Sequence, residues 1–182
     1  MATQTQDPIA TFTDTSTLRA QARKHVEEGP VTVSYPADRE VIIEQLNKAL
    51  ATEWVCVLRY MRHYYTITGV VSEPIKAHFL EHAREEQLHA GKIAERIVQL
   101  GGEPDLNPQT LTQRSHAEYQ TGKSIMDMVR ENLIAERIAV EAYRELIQFL
   151  GDRDPTTRTM LEGILAQEEE HADEMRDLLE EA

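Results

Sequence analysis

Cysteine is almost missing from this chain: Cys56 is the single one in 182 residues. One thiol cannot build an intrachain disulfide framework or a four-cysteine metal site, and such sparing use fits a reducing compartment. Aromatic residues are also scarce, at 5%, which favours helix packing over a β-sandwich. No stretch stays apolar for the ~18 residues of a membrane span. The opening MATQTQDPIATFTD has neither the basic nor the apolar region of a secretory signal, so a cytoplasmic location is expected. Cations are under-represented, 19 Lys and Arg against 32 Asp and Glu, a net charge of −13. That deficit argues against non-specific binding to DNA or to anionic membranes, and is compatible with collecting cations. What is present is a globular composition, with 41% hydrophobic residues and a mean hydropathy of −0.49.

Organisation follows from the punctuation. Residues 1–37 are rich in Thr, Gln, Ser and Asp and contain Gly29-Pro30. They read as an N-terminal extension, weakly ordered or carrying a short helix around 16–28. The folded body is residues 38–182, where the apolar spacing is helical throughout. The first helix is expected from about 38 to 66, with Val41, Leu46, Leu50, Val57, Leu58 and Met61 as its apolar stripe. Ser72 is the expected cap of a second helix, which Gly101-Gly102 and Pro104 stop. Ser124 with Asp127 is a capping-box pattern for a third, and Asp154-Pro155 opens a fourth. The loops joining the first to the second and the third to the fourth helix are short, so each pair is an antiparallel hairpin. The connection between the second and third is long, with 108–119 a candidate short helix. The expected fold is all-α, a four-helix bundle with one long crossover between its second and third helices, which is the ferritin-like arrangement.

Two Glu-x-x-His motifs carry the chemistry: Glu86-Gln87-Leu88-His89 on the second helix and Glu168-Glu169-Glu170-His171 on the fourth. Spacing i, i+3 puts both side chains of a motif on one helix face. Alone, either motif is ordinary in so acidic a chain. The first and third helices, however, each supply a glutamate at matching distance, Glu53 lying 33 residues before Glu86 and Glu136 lying 32 before Glu168. Each of these is followed seven residues later by a tyrosine, Tyr60 and Tyr143. The chain therefore reads as two copies of one helical hairpin, each donating Glu plus Glu-x-x-His. Glu53 also sits among Ala49, Leu50, Trp54, Val57 and Leu58 without a cation one turn away, and a carboxylate in such a row is costly to bury unless it meets a charge. Four carboxylates and two imidazoles suit two divalent ions, Fe, Mn or Zn. Glu53, Glu86, His89, Glu136, Glu168 and His171 are thus the expected catalytic and metal-binding residues. Glu86 and Glu168 would bridge the ions, Glu53 and Glu136 would be terminal, and each histidine would bind one ion.

From about residue 38 to the end, the chain resembles bacterioferritins and the related Dps-like ferritins. The resemblance rests on Leu46-Asn47-Lys48, Glu53 and Tyr60-Met61-Arg62-His63 in the first helix. In the second it rests on Glu86-x-x-His89-Ala90, Ile93-x-Glu95-Arg96-Ile97 and Leu100-Gly101-Gly102-x-Pro104. It implies a ferroxidase that oxidises Fe(II) with O2 or H2O2 at a dinuclear centre of two Fe per subunit, and stores Fe(III) in a hollow homo-oligomeric shell. In bacterioferritins the residue after the second-helix glutamate is a haem-ligating methionine. Here it is Gln87, so no haem is expected. Eleven residues follow His171, too few for the fifth helix of 24-subunit cages, which favours a 12-subunit shell. Dps-like relatives of this kind carry an extra cysteine pair, which Cys56 alone cannot reproduce.

Other residues receive blander readings. His78 and His82, four apart, are read as an exposed polar stripe beside Glu81 and Glu85 rather than as a metal-binding pair. His63 is read as a surface residue or a support of the site, not a ligand. Tyr60 and Tyr143 are read as core residues whose hydroxyls reach the site carboxylates. With an acidic body and no basic arm, no DNA binding is expected. The alternative function is a non-storage di-iron or di-manganese peroxidase or catalase-like oxidoreductase.

Overall fold

The computed structural model describes residues 12–69 and 72–180, and every regular element among them is helical. In chain order these are α1 (Thr15–Gln21), a 3-10 turn (Val26–Glu28), α2 (Arg39–Thr66), α3 (Glu73–Gln99), α4 (Leu111–Arg114), α5 (Ile125–Leu150) and α6 (Pro155–Glu180). The chain divides after Tyr35 into two compact units. In the first, Asp14 caps α1 by accepting the backbone N–H groups of Ser16 and Thr17, and α1 buries no residue. The helix expected at 16–28 ends instead at Gln21, and a separate 3-10 turn follows His25 at φ 52°. The expectation of weak order in residues 1–11 lies outside the described residues.

The second unit is the ferritin-like four-helix bundle. Glu53 of α2 meets His89 of α3, and Tyr60 meets His82, so α2 and α3 are antiparallel. Tyr60 also reaches Glu136, and Tyr143 reaches Glu53, so α2 and α5 are antiparallel too. His82 with Glu174 and Arg96 with Thr157 give the same sense to α3 and α6. It follows that α3 and α5 run in the same direction. The chain leaving α3 must then travel back along the whole bundle before α5 can begin.

That crossover is strapped to α2 in register. Asn47 accepts the Asp105 N–H at 2.7 Å and donates to the Glu103 carbonyl. The Thr52 hydroxyl accepts the His116 N–H at 2.9 Å. Arg59 donates to the Glu118 carbonyl, and Arg62 and His63 both reach the Thr121 carbonyl. These bonds satisfy backbone groups that would otherwise be stranded on an extended segment. Only one turn of it is helical, α4, rather than the 108–119 helix expected.

The starts of the four bundle helices follow local chemistry, with one exception. Asp38 accepts the Val41 N–H, Ser124 and Asp127 form the reciprocal capping box, and Asp154 accepts the Thr157 N–H. Arg96 lays one guanidinium nitrogen on both Asp154 oxygens, at 3.0 and 3.1 Å, pinning the start of α6 to the end of α3. Past α3, Gly101 takes φ +82°, and a Cβ on Gly102 would stand 2.7 Å from the Ile43 side chain. The exception is Ser72: its hydroxyl donates back to the Gly69 carbonyl and caps nothing. Leu58, assigned to the apolar stripe, points outward and is 50% exposed. No described helix is long and apolar enough to cross a membrane.

Candidate metal centre

Glu53, Glu86, Glu136 and Glu168 each stand near the midpoint of their helix, so the bundle brings them into one layer. All four are 1% exposed or less. Two overlapping groups result: Glu53, Glu86, His89 and Glu168, and Glu86, Glu136, Glu168 and His171. Within each, the potential ligand atoms all lie within 4.8 Å of one another. Glu86 and Glu168 belong to both. His89 Nδ1 lies 3.4 Å from Glu53, 3.3 Å from Glu86 and 2.9 Å from Glu168. His171 Nδ1 lies 3.7, 4.0 and 3.9 Å from Glu86, Glu136 and Glu168. The structure brings all six sequence-predicted residues together.

Each of these side chains is aimed from behind. Tyr143 donates to Glu53 and Tyr60 donates to Glu136, each hydroxyl crossing between α2 and α5. Gln167 Oε1 lies 2.9 Å from His89 Nε2, and Glu85 Oε2 lies 2.9 Å from His171 Nε2. An imidazole so held presents its Nδ1 to the cluster, as a metal-binding histidine requires.

The residues fit a pair of cations on an observation of their own. Glu53 Oε2, Glu86 Oε1, Glu136 Oε2, Glu168 Oε2 and His171 Nδ1 are buried and have no hydrogen-bond partner. Unpaired buried polar atoms are costly, more so when charged, and these converge on one small volume. The electrostatics say the same. Burial, then the neighbouring Glu86 charge, pushes the Glu53 carboxyl up to about 8. Burial and the charges of Glu86 and Glu53 raise Glu168 well above the carboxylate range. Burial opposes charge on His171, but hydrogen bonding to Glu86 and the Glu136 charge prevail and bring it up to about 9. His89 is raised likewise, burial being outweighed by Glu168, Glu53 and Glu86. Glu86 is lowered, its burial overcome by hydrogen bonds with His171 and His89. In the absence of metal the cluster thus gathers protons, the only cations left to it.

Three histidines depart from expectation. His82 is 1% exposed, not part of a surface stripe: its ring stacks on His171 at 4.0 Å, and its nitrogens meet the Tyr60 hydroxyl at 3.2 Å and Glu174 at 2.8 Å. His78 is half-buried beside it, with Nδ1 3.4 Å from Glu174. His63 is fully buried and holds the crossover rather than a surface position. Its pKa is lowered to about 4 by burial and by Arg59. Sequence reading missed Glu85, Gln167 and Glu174. Glu174 had a signal, since it follows His171 by one further i, i+3 step on α6.

Residues 43–182 match the family model described as a ferritin-like domain. The chain belongs to the ferritin family. All six cluster residues fall within the matched segment. Among its relatives, a nutrient stress-induced DNA-binding protein of a Synechococcus species is 33% identical over 136 residues, 72% of this chain and 76% of that protein. The solved dodecameric thioferritin, the bacterioferritin-related protein of Bacteroides fragilis, superposes with a TM-score of 0.76 at 33% identity, covering 79% of this chain and 87% of that one. The Desulfovibrio desulfuricans bacterioferritin, whose di-iron site was solved in different catalytic states, gives 0.69 at 26% identity over 78% and 80%. In this ferritin, as in the expected pattern, the hairpins α2–α3 and α5–α6 contribute equivalent halves of the cluster.

Proposed function

We propose that this ferritin is a ferroxidase that stores iron. The observation that carries the proposal is the overlap of the two ligand groups in Glu86 and Glu168, with buried oxygens of all four glutamates left unpaired. Two ions would share Glu86 and Glu168 as bridges. Glu53 and His89 would complete one coordination set, and Glu136 and His171 the other. Four carboxylates balance the charge of two divalent ions, and the mixed oxygen and nitrogen set suits iron or manganese.

Fe(II) is the substrate. Held in pairs, it gives up electrons to O2 or H2O2, and the Fe(III) formed passes to storage. The chain's own residues bind, orient and exclude water. Tyr60 and Tyr143 fix which oxygens of Glu136 and Glu53 remain free for metal. Gln167 and Glu85 fix the ring orientation of His89 and His171. Burial on all sides keeps bulk water from the pair, which strengthens every charge interaction inside it.

The storage shell is proposed as a homo-oligomer of 12 subunits, in line with the dodecameric relative from Bacteroides fragilis. Gln87 is exposed on α3 where a haem-binding methionine would stand, which supports a shell without haem of that kind. Although one relative is called DNA-binding, the net charge of −13 opposes that activity here. A cytoplasmic site of action accords with the sparing use of cysteine, Cys56 being free and buried.

The test is aerobic loading with excess Fe(II), followed by Fe(III) absorbance and then by sedimentation. A closed shell carrying far more iron than its binding sites is expected. A monomer or dimer that stops at about two irons per chain would overturn the storage proposal and favour a discrete di-iron or di-manganese peroxidase.

A further inference from the structure

We propose that His78, His82 and Glu174 form a third divalent-cation site, separate from the glutamate-rich cluster and at its edge. His78 and His82 lie one turn apart on α3, and Glu174 faces them from α6. The three offer one ligand atom each, all within 4.8 Å of one another. Glu174 Oε2 is the common point, 2.8 Å from His82 Nε2 and 3.4 Å from His78 Nδ1. Ligands about 2.1 Å from a metal stand about 3.0 Å apart in an octahedron and about 3.4 Å apart in a tetrahedron. The two spacings to Glu174 are close to those of ligands around one ion.

The hydrogen-bond inventory supplies the reason an ion belongs there. The one proton of the Tyr60 hydroxyl is given to Glu136. The Tyr60 oxygen therefore accepts from His82 Nδ1, 3.2 Å away. A neutral imidazole with its proton on Nδ1 has a bare lone pair on Nε2. That lone pair faces a carboxylate oxygen at 2.8 Å. On the other side of the same oxygen, His78 Nδ1 is buried at the atom and has no hydrogen-bond partner. The bare His82 Nε2 thus faces the Glu174 oxygen as acceptor to acceptor, with the unpartnered His78 Nδ1 beside them. A divalent cation resolves all three contacts at once.

Two histidines and one carboxylate on adjacent faces are a donor set suited to Fe(II), Zn(II) and Co(II), leaving the remaining coordination positions to water or another ligand. The site is reachable: the His78 and Glu174 side chains are 37% and 40% exposed, while His82 at 1% forms its floor. His82 also stacks on His171 of the buried cluster. An ion here would sit between solvent and the proposed dinuclear centre.

Co(II) is the probe, since its visible absorption reports coordination and it does not mineralise. Metal-free full-length protein is titrated anaerobically in its assembled form, alongside His78→Ala and Glu174→Gln. Both substitutions fall on half-exposed side chains. The expected result is one fewer Co(II) per chain in each variant than in the unaltered protein: three falling to two if the dinuclear centre fills, one falling to none if it does not. The difference of one ion thus carries the inference independently of the cluster. Equal stoichiometry in all three proteins overturns it and leaves His82 and Glu174 as a simple hydrogen-bonded pair.

Discussion

Replacing Tyr143 by phenylalanine removes one oxygen and leaves the ring in place. The lost group is a buried hydroxyl, on a residue 2% exposed, that donates to Glu53, itself 1% exposed. No other donor to that Glu53 oxygen is present among the described residues, so the carboxyl loses a partner that water cannot replace. A hydrogen bond to a neutral group contributes about 0.5–1.5 kcal/mol, and one to a charged group about 1.5–3 kcal/mol. In the metal-free protein burial and the Glu86 charge push the Glu53 carboxyl up to about 8. Tyr143→Phe should therefore cost about 1 kcal/mol at about pH 6.5, where Glu53 is neutral, and about 2 kcal/mol at about pH 9.5, where it is ionised. Urea unfolding of the metal-free protein reads this difference through Trp54, the single tryptophan, next to Glu53 on α2. A double-mutant cycle with Glu53→Gln should show that the two residues are coupled by at least about 0.5 kcal/mol. An equal cost at both pH values, or additivity in the cycle, would refute the reasoning.

Three further outcomes follow from the same geometry. Glu53 is raised from 4.5 to about 8 and His171 from 6.5 to about 9, so each stabilises the metal-free fold below its ordinary pKa and loses that effect as pH rises through the folded value. Stability without metal should decline from about pH 4.5 to about 9, most steeply between 6.5 and 8 where both shifts act, and metal binding there should release protons, read by calorimetry in buffers of different ionisation enthalpy. Arg96→Met removes the cation held on both Asp154 oxygens in a site where the two side chains are 9% and 2% exposed. It should destabilise the protein by about 3 kcal/mol by urea unfolding, and a loss near zero would mean the clamp is idle. At physiological salt the assembled protein should leave plasmid DNA unretarded on a gel, whereas a shift that disappears at high salt would reveal a basic surface the net charge does not disclose.

The fold was legible wherever its signals were local. Ser124, Asp127, Asp154, Gly101 and Gly102 mark helix ends through bonds to residues at most five positions away. The long crossover followed from loop lengths alone. Ser72 failed because a competing acceptor, the Gly69 carbonyl, lay on the other side of it. The ligand set was legible because an internal repeat writes it twice. The surroundings of that set were not, because they depend on partners distant in sequence: Glu174 lies 92 residues from His82, and Thr121 lies 58 from His63. Spacing along one helix shows that His78 and His82 share a face with Glu81 and Glu85. It cannot show that the face turns toward α6, where His82 is covered by the His171 ring.

The central claim is that two ions occupy one layer of the bundle and share two glutamates. Anomalous scattering from crystals soaked in Zn(II) tests it most directly, paired with the rate of Fe(II) oxidation in a Glu86→Ala, Glu168→Ala double variant. Within the cluster, apart from any ion at His78, His82 and Glu174, two peaks roughly 3.5–4 Å apart are expected, both touching Glu86 and Glu168, one also touching Glu53 and His89, the other Glu136 and His171. Both cluster peaks and rapid Fe(II) oxidation should vanish in the double variant. A single peak in the cluster, none at all, or undiminished oxidation without the two shared glutamates would contradict the account.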